Sequence, residues 1–166
     1  MAEIRDEVYP RRIRILHWTV LALVLVQLLS ADFMSAFFRR AQDLPLGTLP
    51  DNFGAYIHAL GGATILVLMI IRFISRLKLG TPPKPRDLSP PLRLLASLNH
   101  FAFYVVLVLL PLTGVSALFF ARDFGDVHEA LKNVLYVLIG LHVAGIVYHM
   151  FILRDGVLWR MIRVGR

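Results

Sequence analysis

Six histidines stand out in a 166-residue chain that is 57% hydrophobic: His17, His58, His100, His128, His142 and His149. Each falls inside or at the mouth of one of four apolar segments. Strongly polar or ionisable side chains at membrane depth are costly and usually functional. The spacing from His128 to His142 is the sharpest signal. Fourteen helical residues fall about 40° short of four full turns and rise about 21 Å. Both imidazoles therefore face the same way at two depths of one helix, an arrangement that suits two metal centres stacked across a bilayer.

The elements that must position these side chains follow from the hydropathy. Mean hydropathy is +0.67, and four apolar runs span about 13–36, 54–77, 94–120 and 127–153. Each reaches the roughly 20 residues that a spanning helix needs. Backbone polar groups in lipid must be satisfied within the segment, so these runs are expected to be helices. The fold expected is all-α, an integral membrane four-helix bundle forming a single domain over 1–166. The first run carries His17, Gln27 and Asp32 and no small-residue cleavage site, so it is expected to be a span and not a cleavable signal. The connections, about 37–53, 79–91 and 121–126, are too short to fold as domains. The middle one holds five of the nine prolines and is expected to be stiff and extended. Any chemistry must then sit in the bundle or at its two faces, and bundle cores commonly host cofactors.

Charge sets the orientation. Fourteen of the 18 Lys and Arg residues lie in the N-terminus, the proline-rich connection, the C-terminal tail and the helix ends beside them. Only Arg39, Arg40, Arg122 and Lys132 lie toward the other face. The positive-inside rule then places both termini in the cytoplasm. The pI near 10.4 reflects this topology and attraction to anionic lipid. No basic groove interleaved with aromatics is present, so a nucleic-acid partner is not expected.

Cysteine is absent. That excludes disulfides, iron–sulfur ligation by this chain and the Cys-x-x-Cys-His attachment of c-type haem. A non-covalent b-type haem needs only two imidazoles as axial ligands. Zinc fits less well, because no His-Glu-x-x-His occurs and His128-Glu129 point to different helix faces.

Depth sorts the histidines. His58 and His128 belong to the outer level; His17 and His142 belong to the inner one. His149 lies seven residues beyond His142, about 20° short of two turns and so on the same stripe. His17 could face either. If His17 and His58 each sit one turn inside a core of roughly 30 Å, their levels differ by about 20 Å, which the 14-residue spacing matches and the 21-residue spacing overshoots. A single histidine at a helix end, such as His100 or His149, is more often interfacial than a ligand. Two depth-matched pairs are much harder to explain that way.

Neighbouring residues agree. Gly61 and Gly62 follow His58, and Gly140 and Gly145 flank His142; glycine permits the close approach of a flat macrocycle but also serves ordinary helix packing. Arg72 repeats the His58 face at the inner level, where a haem propionate or a quinone headgroup would want a cation, although it is equally placed to be an interfacial anchor. Lys132 lies one turn below His128 and could pair with a propionate. Pro111 with Gly114 is expected to mark a kink.

Several segments together resemble the bacterial cytochrome b561 family: Arg14-Ile-Leu-His17-Trp18, His58-Ala-Leu-Gly-Gly62, Ile65-Leu-Val-Leu-Met-Ile-Ile-Arg72, His128-Glu129-Ala-Leu-Lys-Asn133 and Tyr136-Val-Leu-Ile-Gly-Leu-His142. The resemblance covers nearly the whole chain. It implies a four-helix protein of the bacterial inner membrane with two haem b groups. By position, His58 and His128 would ligate the outer haem, and His17 and His142 the inner one. Members similar to this chain are superoxide oxidases that pass electrons to ubiquinone. The segment 121–126 is shorter here than in a well-known member.

The function expected is therefore oxidoreductase: electrons pass from superoxide or another outer-face donor, through two haems, to ubiquinone. The alternatives are a cytochrome b anchor relaying electrons from a dehydrogenase or hydrogenase partner, or a His-lined metal transporter.

Overall fold

In the computed structural model, residues 9–80 and 88–162 are described. Four long helices account for most of them: α1 Arg11–Arg40, α2 Phe53–Leu79, α3 Pro90–Phe119 and α4 Phe124–Tyr148. All four segments are long and apolar enough to cross a membrane, the last counted through Leu153. At 1.5 Å per residue, the 30 residues of α1 extend about 45 Å, longer than a hydrocarbon core of about 30 Å.

Local chemistry sets the boundaries. The Asn52 side chain accepts from the Ala55 N–H at 2.9 Å and caps the start of α2, satisfying one of the orphan donors of the first turn. Gly80, at φ 69°, takes the backbone out of α2 in a conformation that disfavours a side chain. The helices outrun the sequence-based segments at several ends. Phe37–Arg40, expected in a loop, complete α1, and α4 begins at Phe124 inside the expected loop 121–126. Pro90 and Pro91, expected in the extended connection, instead form the first positions of α3, where a missing N–H costs nothing. The rest of that connection, 81–87, lies outside the described residues. Helix α3 continues through Pro111.

Two elements were not anticipated. Helix α4 gives way at His149 to a π-helical turn, His149–Leu153. The chain then reverses through Arg154 (φ 51°) and Gly156 (φ 73°) into a short helix, α5, Val157–Ile162. That helix folds back on α1: Trp18 Nε1 donates to the Met161 carbonyl at 3.1 Å, and the Tyr9 N–H to the Arg160 carbonyl at 3.3 Å.

The helices pack in chain order, α1 along α2, α2 along α3 and α3 along α4, whereas α1 and α4 scarcely approach each other through their backbones. The main core is a mid-depth layer of Val20, Val24, Ile65, Met69, Leu107, Leu135 and their neighbours. A smaller cluster of Phe37, Ala41, Ala55 and Leu118 closes the end away from the termini. Across that end, Gly47 donates to the Leu118 carbonyl at 2.8 Å, and Arg122 donates to the Leu44 carbonyl at 3.0 Å while lying over the Phe38 ring. Arg40 and Asp51 pair at 3.1 Å. The Asn52 amide, and then Arg40, hold the Asp51 carboxyl below the usual carboxylate range. Elsewhere the helices present large exposed apolar side chains, such as Leu29, Phe53, Leu77 and Ile152, as a lipid-facing surface does.

Candidate functional site

The bundle brings four histidines together as two pairs, one on each side of the mid-depth apolar layer. At the end away from the termini, His58 of α2 faces His128 of α4, with ring centres 6.2 Å apart. Near the termini, His17 of α1 faces His142 of α4, with ring centres 6.3 Å apart. Both rings of α4 therefore project from one stripe, as their fourteen-residue separation requires. Between the levels stand Val20 and Val24 on α1, Ile65 and Met69 on α2, and Leu135 and Leu138 on α4.

The far pair is held by hydrogen bonds. His128 Nδ1–H donates to the Leu110 carbonyl at 2.8 Å, with the Thr113 hydroxyl oxygen beside it at 3.3 Å. His58 Nδ1–H donates to the Ser30 hydroxyl oxygen at 3.2 Å, and the Gln27 carbonyl faces the same ring. A cavity of about 520 Å³ opens against both rings, lined also by Gly62, Pro111, Gly114 and Lys132. A side chain on Gly114 would meet the His128 ring at 3.4 Å, so glycine sets how closely α3 passes.

The pair near the termini is packed differently. His142 is ringed by aromatics: His100 at 5.2 Å and Phe103 at 5.6 Å, with His17 opposite. Arg72 lies within electrostatic range of both His17 and His142. His100 Nδ1–H donates to its own helix, at the Ala96 carbonyl.

His149 does not join this group. Its Nδ1–H donates to Asp155 Oδ2 at 2.6 Å, and Asp155 Oδ1 caps α5 by accepting from the Val157 N–H. His149 still keeps the α-helical register of His142, its N–H bonded to the Gly145 carbonyl, but its ring is held by Asp155, and His17 faces His142 as their depths led us to expect. Lys132 lines the far cavity but holds Glu129 at 2.7 Å, one turn earlier on α4. Sequence reasoning missed Ser30, Thr113, the Leu110 carbonyl, Phe103 and Asp155. Ser and Thr in a membrane helix ordinarily bond back to the preceding turn, as Ser30 and Thr113 also do here, so their types carry no signal of a second partner.

Two imidazoles facing each other across a gap could hold a metal-centred group between them. Zinc takes three or four protein ligands, and among the described residues no group of three or more His, Asp or Glu side chains converges. The model of the prokaryotic cytochrome b561 family matches residues 8–163. This chain belongs to the prokaryotic cytochrome b561 family. Its similarity extends to a probable superoxide oxidase, CybB, of Yersinia pestis, 28% identical with 88% of this chain and 90% of that protein covered. It is also similar to a cytochrome b562 of Cereibacter sphaeroides, 29% identical over 93% of this chain and 95% of that protein. The cytochrome b561 family binds b-type haem, and this chain is a multi-pass bacterial membrane protein of electron transfer.

The residues present fit that group. His58 with His128, and His17 with His142, stand with ring centres 6.2 and 6.3 Å apart, and each pair would hold one such group between its two imidazoles. The Nδ1–H groups of His58 and His128 are already engaged, which leaves Nε2 as the free donor on each ring. The cavity against them has the size typical of a cofactor site, roughly 300–1,000 Å³.

Proposed function

We propose that this cytochrome b561 carries electrons across the bacterial inner membrane through two b-type haems, from superoxide at the outer face to ubiquinone. The observation that carries this reading is the pair of facing imidazole pairs on opposite sides of an apolar layer. His58 and His128 would hold the outer haem, and His17 and His142 the inner one. When bound, the haems supply two one-electron carriers stacked across the bilayer. The chain supplies the axial nitrogens, fixes the ring orientation at the outer level, and excludes water between the levels with Val24, Ile65, Met69 and Leu135. The concentration of Lys and Arg at the end holding both termini supports a cytoplasmic position for that end.

The outer donor is supported by the cavity mouth. Arg39, Arg122 and Lys132 line it together with Asp32, Asp126 and Glu129. Its charge is balanced, so attraction of a small anion must be local; Lys132 pairs with Glu129 at 2.7 Å, whereas Arg39 has no ion-pair partner among the described residues. The name of the Yersinia relative supports the same donor. Mixing the oxidised protein rapidly with superoxide is expected to reduce the haem. The rate should fall as salt screens the local cations. Reduction no faster than spontaneous dismutation removes would discard superoxide as the donor.

A quinone that accepts two electrons also takes two protons. Arg72 and His100, beside the inner pair, and His149, held by Asp155, are the groups available at that level. Arg72 would stabilise negative charge on the quinone, and histidine titrates in the range needed to pass protons from the cytoplasm. His100→Ala, His149→Ala and Arg72→Ala variants that keep both haems are expected to reduce quinone at least about tenfold more slowly. Unchanged quinone reduction in all three would put the acceptor elsewhere.

A further inference from the structure

The two histidines of the outer pair are docked in the same way on two different helices. His58 meets the Gln27 carbonyl and the Ser30 hydroxyl of α1. His128 meets the Leu110 carbonyl and the Thr113 hydroxyl of α3. In each case the carbonyl belongs to residue i and the hydroxyl to residue i+3, so both acceptors lie on one helix face, one turn apart. Each hydroxyl spends its own proton on its helix: Ser30 donates to the Val26 carbonyl at 2.7 Å, and Thr113 to the Leu109 and Leu110 carbonyls, both at 2.9 Å. Its oxygen is thereby left to accept from the ring. At His58 the hydroxyl at 3.2 Å links the ring N–H to a carbonyl in a chain that polarises along its length; at His128 the Leu110 carbonyl at 2.8 Å is the nearer acceptor and the Thr113 hydroxyl at 3.3 Å the second. The inner pair has no counterpart. Among the described residues, neither His17 nor His142 makes a ring hydrogen bond, and the charged group in range of both is Arg72.

Taking His58 and His128 as axial ligands, we propose that Ser30 and Thr113 are positioning residues that tune the outer haem alone and hold its potential below that of the inner haem. An Nδ1–H drawn toward an acceptor makes the opposite nitrogen a stronger electron donor, which favours the oxidised metal. Axial-ligand hydrogen bonding is one of the levers a protein has on haem potential. At the inner level the Arg72 cation acts the opposite way and favours the reduced state. The two effects together make electron flow from the outer to the inner level downhill.

The test is an anaerobic spectroelectrochemical titration of the full-length haem-loaded protein, with low-spin ferric EPR on the same samples, for the parent, Ser30→Ala, Ser30→Thr and Ser30→Ala/Thr113→Val. In Ser30→Ala both haems are expected to remain, with one midpoint raised, one EPR signal shifted and the other haem unmoved on both measures. The double variant should move the same haem further. Ser30→Thr, which keeps the hydroxyl, should restore the parent values. Midpoints that stay put in the double variant with both haems bound would overturn the proposal. So would equal movement of both haems, or loss of a haem in Ser30→Thr. His58→Ala separates the two levels of inference: if that variant keeps both haems, it is the ligand assignment that fails, and not the tuning alone.

Discussion

His58→Ala or His128→Ala is expected to leave the purified protein with one haem instead of two, and the remaining haem should keep its spectrum and midpoint. The outer pair holds its two ring centres at 6.2 Å from two different helices. Removing one ring would take away one of the two imidazoles proposed to hold the group, beside a cavity already about 520 Å³ in volume. The inner pair lies beyond the layer of Ile65, Met69, Leu135 and Leu138, so it should not register the change. His17→Ala and His142→Ala should give the complementary loss. His149→Ala should keep both haems, because its ring is engaged by Asp155 and not by the His17–His142 pair. Pyridine haemochrome assay against protein concentration reads all five variants. Retention of two haems in His58→Ala, or loss of the inner haem in His149→Ala but not in His142→Ala, would refute the assignment.

A second large effect is expected at Gly114, which lines the cavity beside the His128 ring. An added Cβ there would stand 3.4 Å from Cε1 and Nδ1 of His128, close to ordinary contact. Gly114→Ala should therefore be tolerated, with two haems retained. Gly114→Leu should push the ring off the Leu110 carbonyl that now accepts its Nδ1–H at 2.8 Å. The result expected is loss of the outer haem with the inner one kept. Over-packing of this kind usually costs about 1–3 kcal/mol in stability, so the melting temperature should fall modestly while haem content falls by half. Equal haem loss from both levels would mean that the bundle had come apart, and would contradict a local role for Gly114.

The pairing of rings across the bundle was legible in the sequence because it depends on quantities a helix fixes: 3.6 residues per turn and 1.5 Å per residue. The interval from His128 to His142 gives both a common face and a separation. The positions of His17 and His58 near opposite ends of adjacent spans then select the partners. The same arithmetic set His149 aside as a partner for His17, and Asp155 holds its ring instead; the π turn that starts at His149 was not foreseen. Nothing in His149-Met-Phe-Ile-Leu153 announces that turn. Asp155, which holds His149, also escaped notice, since its hydrogen bond exists only after the chain reverses at Arg154 and Gly156. Helix α5 is six residues long, too short for periodicity to reveal. The proline-rich connection was read too broadly: Pro90 and Pro91 look like loop in isolation but are favoured at a helix start.

What the sequence withheld most completely was the support around the rings. Ser30 and Thr113 are ordinary residues for a membrane helix. Only the packing of α1 against α2, and of α3 against α4, brings their hydroxyls to His58 and His128. Lys132 shows the converse. Its place one turn below His128 suggested a cation that could pair with a propionate, and the structure adds a contact with Glu129 at 2.7 Å, three residues before it.

The measurement that bears most directly on the central claim is the haem-to-polypeptide ratio of the parent protein, purified from cells with ample haem, taken with its reduced visible spectrum and ferric EPR. Two facing imidazole pairs separated by an apolar layer lead to two low-spin b-type haems per chain, titrating as distinguishable one-electron centres. A ratio of one or none, or a high-spin centre lacking a second histidine ligand, would contradict the account.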